Sequence, residues 1–339
     1  MINQPIRHSE MVAVCHDRRT GTRAVIAIDD ATCGPGLGGV RWAGYPSEQA
    51  AVSEAQRLAA GMTLKHASAG LPYGGAKSVI FETATDDRVE VMRAFGRFVA
   101  RLGGAYIPGV DMGTKVEDLA VLRPTVDVSC DEEDPSPATA MGVYHAIRAA
   151  TGAVFGSDLA GRRVAIQGVG HVGAALADLV ARDGAEVIVA DVDGERADRV
   201  ARSVGGRVTA VEDILTCPSD VFAPCASARI IDEQNMAGLG ARIVAGAAND
   251  TLSSRGCAKL LADRDVTYVP DFVANAGGVI HIHALRSGWD ADRLSAELSA
   301  IGDRVTQILT AAGSRGVTPL EVAEQLASER VGHPVTLPD

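Results

Sequence analysis

The sequence predicts an α/β protein of two domains, the second built on a doubly wound parallel sheet. Three observations carry that expectation. Short β-branched runs bounded by turn formers alternate with helical patterns along most of the chain, as sheets covered by helices require. An acid- and proline-rich stretch, "DEEDPSPATA", interrupts the alternation and reads as a hinge. Beyond it a strand, "RRVAIQ", runs into the turn "GVGHVG" and then a helix, and opens a half of the chain that is βαβ throughout. A length of 339 residues also exceeds what one ordinary core fills. The expected domains are residues 1–134 and 135–289, with a helical tail from about 290 to 339 returning to the first.

Taken in order, "MVAVCHD" and "RAVIAID" read as strands, and "GPGLGGVRW" as a glycine-rich turn leading into another. From Ser47 to Met62 the residues Val52, Ala55, Leu58, Ala59 and Met62 recur at helical spacing. The segment "MTLKHASAGLPYGGAKSVI" follows and ends in a strand. Met92, Phe95, Phe98, Val99 and Leu102 mark a second helix, "AYIPGVD" an extended segment, and Thr114 with Glu117 a capping box. Pro137 is placed to begin a helix over "PATAMGVYHAIRAA". Later strands are "AEVIVAD", "DVFAP", "RIVAG" and "VTYVP". As a strand, "HIH" would put His281 and His283 on one face.

Composition removes several function classes. A net charge of −11 supplies no basic excess to neutralise phosphates, which argues against nucleic acid as a partner. No run approaches the length of a membrane span, and the N-terminus lacks the apolar core of a signal peptide. Six cysteines without a CxxC pair point to reduced thiols and a cytoplasmic protein. No third ligand accompanies His281 and His283, so no metal is expected.

The turn Gly168-Val169-Gly170-His171-Val172-Gly173 has the spacing G-x-G-x-x-G. Free N–H groups and the dipole at the start of the following helix favour a pyrophosphate, and glycines let the backbone approach it. Asp191 ends the next strand, about where a ribose contact belongs. Together these point to a Rossmann-like dinucleotide domain and to NAD, because a carboxylate repels a 2′-phosphate; Arg196 and Arg199 just beyond weaken that preference. His171 faces either phosphate or solvent.

Lys65 and Lys77 flank a run of small residues. Two amines on a glycine-lined surface form a cationic site for a carboxylate, and forced together each disfavours the other's protonation, so that one becomes a base. Asp111 follows a strand-like segment, positioned to exchange a proton with an amine or carbonyl. Lys115 and Lys259 are expected to be solvated surface groups. The residues alone indicate a nicotinamide oxidoreductase acting on a substrate that bears a carboxylate.

Eight segments in order resemble the amino-acid dehydrogenase superfamily, the branch of leucine, valine and phenylalanine dehydrogenases related to glutamate dehydrogenase. They are "GPGLGGVRW", "MTLKHASAGLPYGGAKSVI", "GVDMGT", "PSPATAMGVY", "AIQGVGHVG", "DVFAPCA", "VAGAAND" and "PDFVANAGGVIHI". The resemblance implies a substrate and oligomerisation domain followed by an NAD domain, with the active site in the cleft between them and a homo-oligomeric assembly. It implies oxidative deamination of an L-amino acid to a 2-oxo acid and ammonia. By the same resemblance Lys65 grips the substrate carboxylate, Lys77 activates water, and Asp111 shuttles protons to and from nitrogen. Gly38 and Gly39 line the substrate, Asn275 belongs to a segment closing the cleft, and Thr139, Ala247 and Asn249 lie toward the nicotinamide. Related chains often carry three glycines before the lysine; here the run is Gly74-Gly75-Ala76-Lys77, which requires negative φ at Ala76.

The side-chain pocket implied by the resemblance contains Leu37, Gly109, Val279 and Ile282, none of which offers a cation to a second carboxylate. Space at Gly109 favours phenylalanine as the substrate, while the β-branched Ile282 keeps leucine and valine as the alternative. Two other readings are a nucleotide-binding regulatory protein without catalysis, and a 2-hydroxy acid dehydrogenase. Retention of Lys65, Lys77 and Asp111 together counts against the former, and the want of a His–carboxylate pair in the first domain against the latter.

Overall fold

The computed structural model describes residues 9–129 and 133–336. The start of the N-terminus, Cys130 and two acids of the hinge stretch lie outside the described residues. The described residues divide into two compact units, 9–129 and 133 with 327–336, and 134–326.

The first unit holds β1 (Met11–Asp17), β2 (Thr22–Asp30), β3 (Gly36–Trp42), α1 (Glu48–Ala69), β4 (Gly74–Glu82), α2 (Arg88–Ala100), β5 (Tyr106–Val110) and α3 (Val116–Ala120). Its sheet runs β1-β2-β4-β3-β5. The first two pairings are antiparallel and the last two parallel. Strand alternation sends Ile26, Ile28, Val40, Ala76, Ile80 and Tyr106 to one face, where Met92, Phe95 and Val99 of α2 meet them. On the other face Val25, Ala27 and Val79 pack against Ala51, Ala55 and Ala59 of α1. Small residues let α1 lie close: a Cβ at Gly75 would stand 2.1 Å from Thr63 Oγ1. Ala76 is a strand residue without positive φ, so its methyl joins the core beneath the sheet and the loop is not strained.

Helix α1 is longer than the sequence pattern suggests. Ser47 caps its start by accepting the Ala50 N–H at 3.1 Å, and it ends at left-handed Gly70 (φ 73°), so Lys65 is a helical residue. The glycine-rich turn is also largely strand, β3 beginning at Gly36. The capping box expected from Thr114 to Glu117 does not form. Asp118 accepts the Lys115 N–H at 2.9 Å, while Thr114 Oγ1 donates to Val40 O at 2.7 Å and receives the Asp111 N–H at 3.0 Å.

The second unit starts with α4 (Ser136–Phe155), Pro137 lying in its first turn. It continues through β6 (Arg163–Gln167), α5 (His171–Arg182), β7 (Glu186–Ala190), α6 (Gly194–Val204), β8 (Arg207–Val208), β9 (Val221–Pro224) and β10 (Ile243–Val244). After these come α7 (Gly256–Ala262), β11 (Thr267–Tyr268), α8 (Asp271–Ala274), α9 (Gly277–Ser287), α10 (Ala291–Arg315) and α11 (Pro319–Val331), the last part of α11 being counted with the first unit. The sheet is parallel in every pairing, ordered β11-β10-β9-β6-β7-β8. In chain order this is the doubly wound dinucleotide arrangement, and the order reverses between β6 and β9, where ligands of such sheets bind.

Two expectations are corrected here. "HIH" is helix, not strand: His281 and His283 sit on α9, and the ring of His283 meets Trp289 edge-on at 4.9 Å. The tail does not return whole to the first unit. Helix α10 belongs to the second, with Ile301 Cδ1 2.7 Å from where a Cβ at Gly142 of α4 would stand, and of the tail's described residues 327–336 are counted with the first. The five described cysteines are free thiols. Among the described residues no helix is long and apolar enough to cross a membrane.

Candidate active site

In the first unit β3, β4 and the end of β5 carry a line of charged groups on the face that α1 covers. Residues Gly75, Lys77 and Val79 of β4 point that way, as do Leu37, Gly39 and Arg41 of β3. Pairing of Val40 with Val110 brings Asp111, just past β5, level with Arg41. Lys77 is 8% exposed and its Nζ stands 3.2 Å from Asp111 Oδ2. Arg41 Nε donates to the same oxygen at 2.9 Å, and Arg41 Nη1 to Glu54 Oε1 of α1 at 2.7 Å. Glu54 is held from behind by Arg57, whose Nε donates at 2.8 Å.

Burial pushes the Lys77 ammonium below the usual lysine range; Asp111 opposes that shift and Arg41 reinforces it. Burial alone would raise the Asp111 carboxyl, but Lys77 and Arg41 outweigh it and hold the group below the ordinary carboxylate range. A depressed amine at hydrogen-bond distance from an ionised carboxylate is a pair able to take a proton and pass it on.

Glycine at 39 makes this approach possible, since a Cβ there would lie 2.7 Å from the Asp111 Cβ. A Cβ at Gly38 would lie 1.7 Å from Ala76 O, so its need is sheet packing as much as ligand. Lys65 is half-buried on α1, on the side that also carries Glu54 about three turns earlier. Gly109 does not leave the expected space: a Cβ there would meet Ser129 Oγ at 2.5 Å, and that buried hydroxyl donates to Pro108 O. Leu37 is buried on β3, whereas Val279 and Ile282 are half-buried on α9 of the second unit.

The glycine turn of the second unit divides its labour as a dinucleotide turn does. Gly168 has φ 87°, and a Cβ on it would stand 2.4 Å from the Ala226 Cβ; one on Gly173 would stand 1.9 Å from Gly168 O. A Cβ on Gly170 meets nothing within 4 Å. Gly170 opens α5, whose first turn has no side-chain cap, leaving its N–H groups for a ligand. Val169 is buried, Val172 half-buried, and His171 exposed with Nδ1 3.1 Å from Asp134 Oδ2. Asp191 accepts the Val169 N–H at 2.8 Å and the Asp193 N–H at 2.9 Å, and Arg196 Nη2 at 2.6 Å. Burial would raise this carboxyl, but those donors hold it low. These residues fit a dinucleotide: the first and third glycines are dictated by packing, and the second is open.

Asn275 is 4% exposed and follows α8; its Nδ2 donates to Ala247 O at 3.1 Å and to Asn249 Oδ1 at 3.0 Å. Its own Oδ1 is buried and meets no donor among the described residues, which suits a loop group that waits for a ligand amide or amine. Thr139, in the first turn of α4, donates to Pro135 O at 3.0 Å. Sequence reasoning missed Arg41, Glu54 and Ser129. For Arg41 a signal existed: its place two residues after Gly39 puts it on the Gly39 face of a strand.

Comparison with known proteins assigns the family. Residues 8–127 match the family described as Glu/Leu/Phe/Val dehydrogenase, dimerisation domain. Residues 133–198 and 191–334 match Glutamate/Leucine/Phenylalanine/Valine dehydrogenase. Leucine dehydrogenase of Thermoactinomyces intermedius is 38% identical over 331 residues, 95% of this chain and 90% of that protein. Valine dehydrogenase of Streptomyces virginiae is 40% identical over 335 residues, 95% of this chain and 93% of that one. Among solved structures, L-tryptophan dehydrogenase from Nostoc punctiforme superposes with a TM-score of 0.84 at 35% identity, covering 96% of this chain and 97% of the other. The chain belongs to the glutamate/leucine/phenylalanine/valine dehydrogenase family of amino-acid dehydrogenases.

Proposed function

We propose that the chain catalyses NAD-dependent, reversible oxidative deamination of a branched-chain L-amino acid, leucine or valine, giving the 2-oxo acid and ammonia. The observation that carries this reading is the buried Lys77 amine 3.2 Å from the Asp111 carboxylate, on a strand lined by glycines. When bound, NAD supplies a hydride acceptor. The chain's residues do the rest. Lys65 binds the substrate carboxylate. Asp111 takes a proton from the substrate ammonium, so that Cα–H leaves as hydride and an imine forms on the substrate. Lys77, neutral, removes a proton from water as its oxygen attacks the imine carbon; Asp111 then protonates nitrogen. As the C–N bond breaks and C=O forms, Asp111 takes the hydroxyl proton, ammonia leaves with the proton of Lys77 as ammonium, and Asp111 releases its proton to solvent. One amino acid, one water and one NAD⁺ yield one 2-oxo acid, one ammonium, one NADH and one proton.

Leucine and valine replace the phenylalanine expected from the sequence for two reasons. Leucine and valine dehydrogenases are the relatives of high identity reported above, and the room attributed to Gly109 is filled by Ser129. None of Leu37, Gly109, Val279 and Ile282 carries a cation, which disfavours glutamate. Asp191 supports NAD over NADP. The match to a dimerisation domain supports a homo-oligomer, and the free thiols a reducing, cytoplasmic setting. Initial rates with leucine, valine, phenylalanine, tryptophan and glutamate, each with NAD and NADP, test the reading. The highest kcat/KM is expected for leucine or valine with NAD; a higher value for phenylalanine or tryptophan would replace the substrate assignment. NADH binding without turnover of any amino acid would favour a non-catalytic protein.

A further inference from the structure

Five charged groups from four separate elements stand in a row of alternating sign: Arg57 and Glu54 of α1, Arg41 of β3, Asp111 past β5, and Lys77 of β4. The last two, Asp111 and Lys77, have an evident use in the proposed reaction, on which this inference rests. Arg41 has none yet. Its guanidinium makes two bonds at once, Nε to Asp111 at 2.9 Å and Nη1 to Glu54 at 2.7 Å, and its side chain is 16% exposed.

We propose that Arg41 is the positioning residue of the pair, fixing the Asp111 carboxylate and opposing its charge so that Lys77 is not locked as an ammonium. A buried lysine beside a lone carboxylate would form a stable ion pair, with its proton held by the partner's charge. Arg41 sits on the same carboxylate oxygen that Lys77 approaches, so Lys77 faces a carboxylate already largely neutralised. Glu54 has the opposite action on Lys77, because it draws on the positive charge of Arg41 from behind. An arginine suits the place better than a lysine, since a planar fork reaches both acids in one rigid geometry.

Other groups face Asp111. The Met112 N–H bonds to its carboxylate, Thr114 Oγ1 accepts its backbone N–H, and Tyr106 feels its charge from the far face of the sheet. Tyr45 touches Arg41 and lies in the field of Glu54, with its hydroxyl raised by burial and by that acid. None of these adds a cation to the two, Lys77 and Arg41, that Asp111 faces.

The test compares Arg41→Gln, Arg41→Lys and Glu54→Gln in the full-length protein, with thermal melting to establish folding. Arg41→Gln is expected to lower kcat by about 10- to 100-fold, as a misplaced catalytic group does, with amino-acid KM nearly unchanged. The sign of the pH effect follows from charge. Loss of Arg41 removes a cation that disfavours protonated Lys77, so the acid limb of kcat/KM moves to higher pH. Loss of Glu54 removes an anion that favours it, so the limb moves to lower pH. Arg41→Lys keeps the charge but not the fork: its limb stays in place and kcat is partly restored. Lys77 titration is also read directly, by competitive acetylation with acetic anhydride and peptide mass spectrometry, which reports whether or not an amino acid is turned over. Absence of wild-type turnover therefore overturns the proposed function alone, and the acetylation shifts still decide the role of Arg41. Should Arg41→Gln not fold, Glu54→Gln shifting downward beside an unshifted Arg41→Lys supports the proposal. An unmoved limb and unmoved acetylation in Arg41→Gln, or in Glu54→Gln if that variant alone folds, would overturn it, as would shifts of the same sign in both.

Discussion

The glycine turn of the second unit and the charged row of the first are both candidate sites, but they are built in opposite ways. The turn is one contiguous stretch, Gly168 to Gly173, and its work is done by backbone: a left-handed residue, a close helix-to-strand approach, and an uncapped helix start. The row is made of side chains brought together by strand register and by α1, with Arg41 and Asp111 seventy residues apart. A backbone site announces itself in residue types at fixed spacing. A side-chain site on a sheet is visible only once the strands are paired. The two should therefore fail differently when altered, and the predictions below set those failures against each other.

Asp111→Asn removes the proposed proton acceptor while leaving its size, and is expected to lower kcat by about 10²- to 10⁴-fold with dinucleotide affinity unchanged. A matching loss of NADH affinity, measured by fluorescence titration, would break the separation between the two sites. Gly173→Val brings a side chain against Gly168 O, 1.9 Å from the Cβ position, and is expected to lower the melting temperature and abolish NADH binding together. A Cβ at Gly170 meets nothing within 4 Å, so the melting temperature of Gly170→Val should match the wild type while NADH affinity falls by about tenfold. Equal thermal effects of the two valines would show that the turn is packed throughout and keeps no open position for a ligand.

The smallest effect is expected at Arg196, which donates to Asp191 at 2.6 Å and offsets the carboxylate that would repel a 2′-phosphate. Arg196→Ala should sharpen the preference for NADH over NADPH, in dissociation constants, by a few-fold; a relaxed preference would mean that Asp191 does not face the ribose.

The same contrast explains what was legible in the sequence. The parallel sheet, the turn and Asp191 were readable, because each is a local pattern of strand, glycine and helix. Lys77 and Asp111 were readable as candidates through small-residue surroundings and family resemblance, but their 3.2 Å approach was not, since it depends on the register of three strands. The end of α1 was misplaced because the apolar spacing fades after Met62, although Gly70 and Pro72 mark a helix stop. "GGVIHIH" alternates like a strand, yet it is helix: a Cβ on Gly277 would stand 2.0 Å from Ala138 O, so contact with α4 overrides the local pattern. Gly109 misled for a related reason. A residue without a side chain leaves space only if no neighbour takes it, and Ser129, twenty residues on, does.

The central claim is that the buried amine of Lys77 performs chemistry on a substrate whose hydride goes to a dinucleotide bound elsewhere by backbone. Lys77→Ala, assayed side by side for leucine- and valine-dependent NADH formation and for NADH affinity, tests it most directly. The account predicts a loss of turnover of at least about 10³-fold with affinity for NADH within twofold of wild type. Turnover surviving the substitution would contradict it.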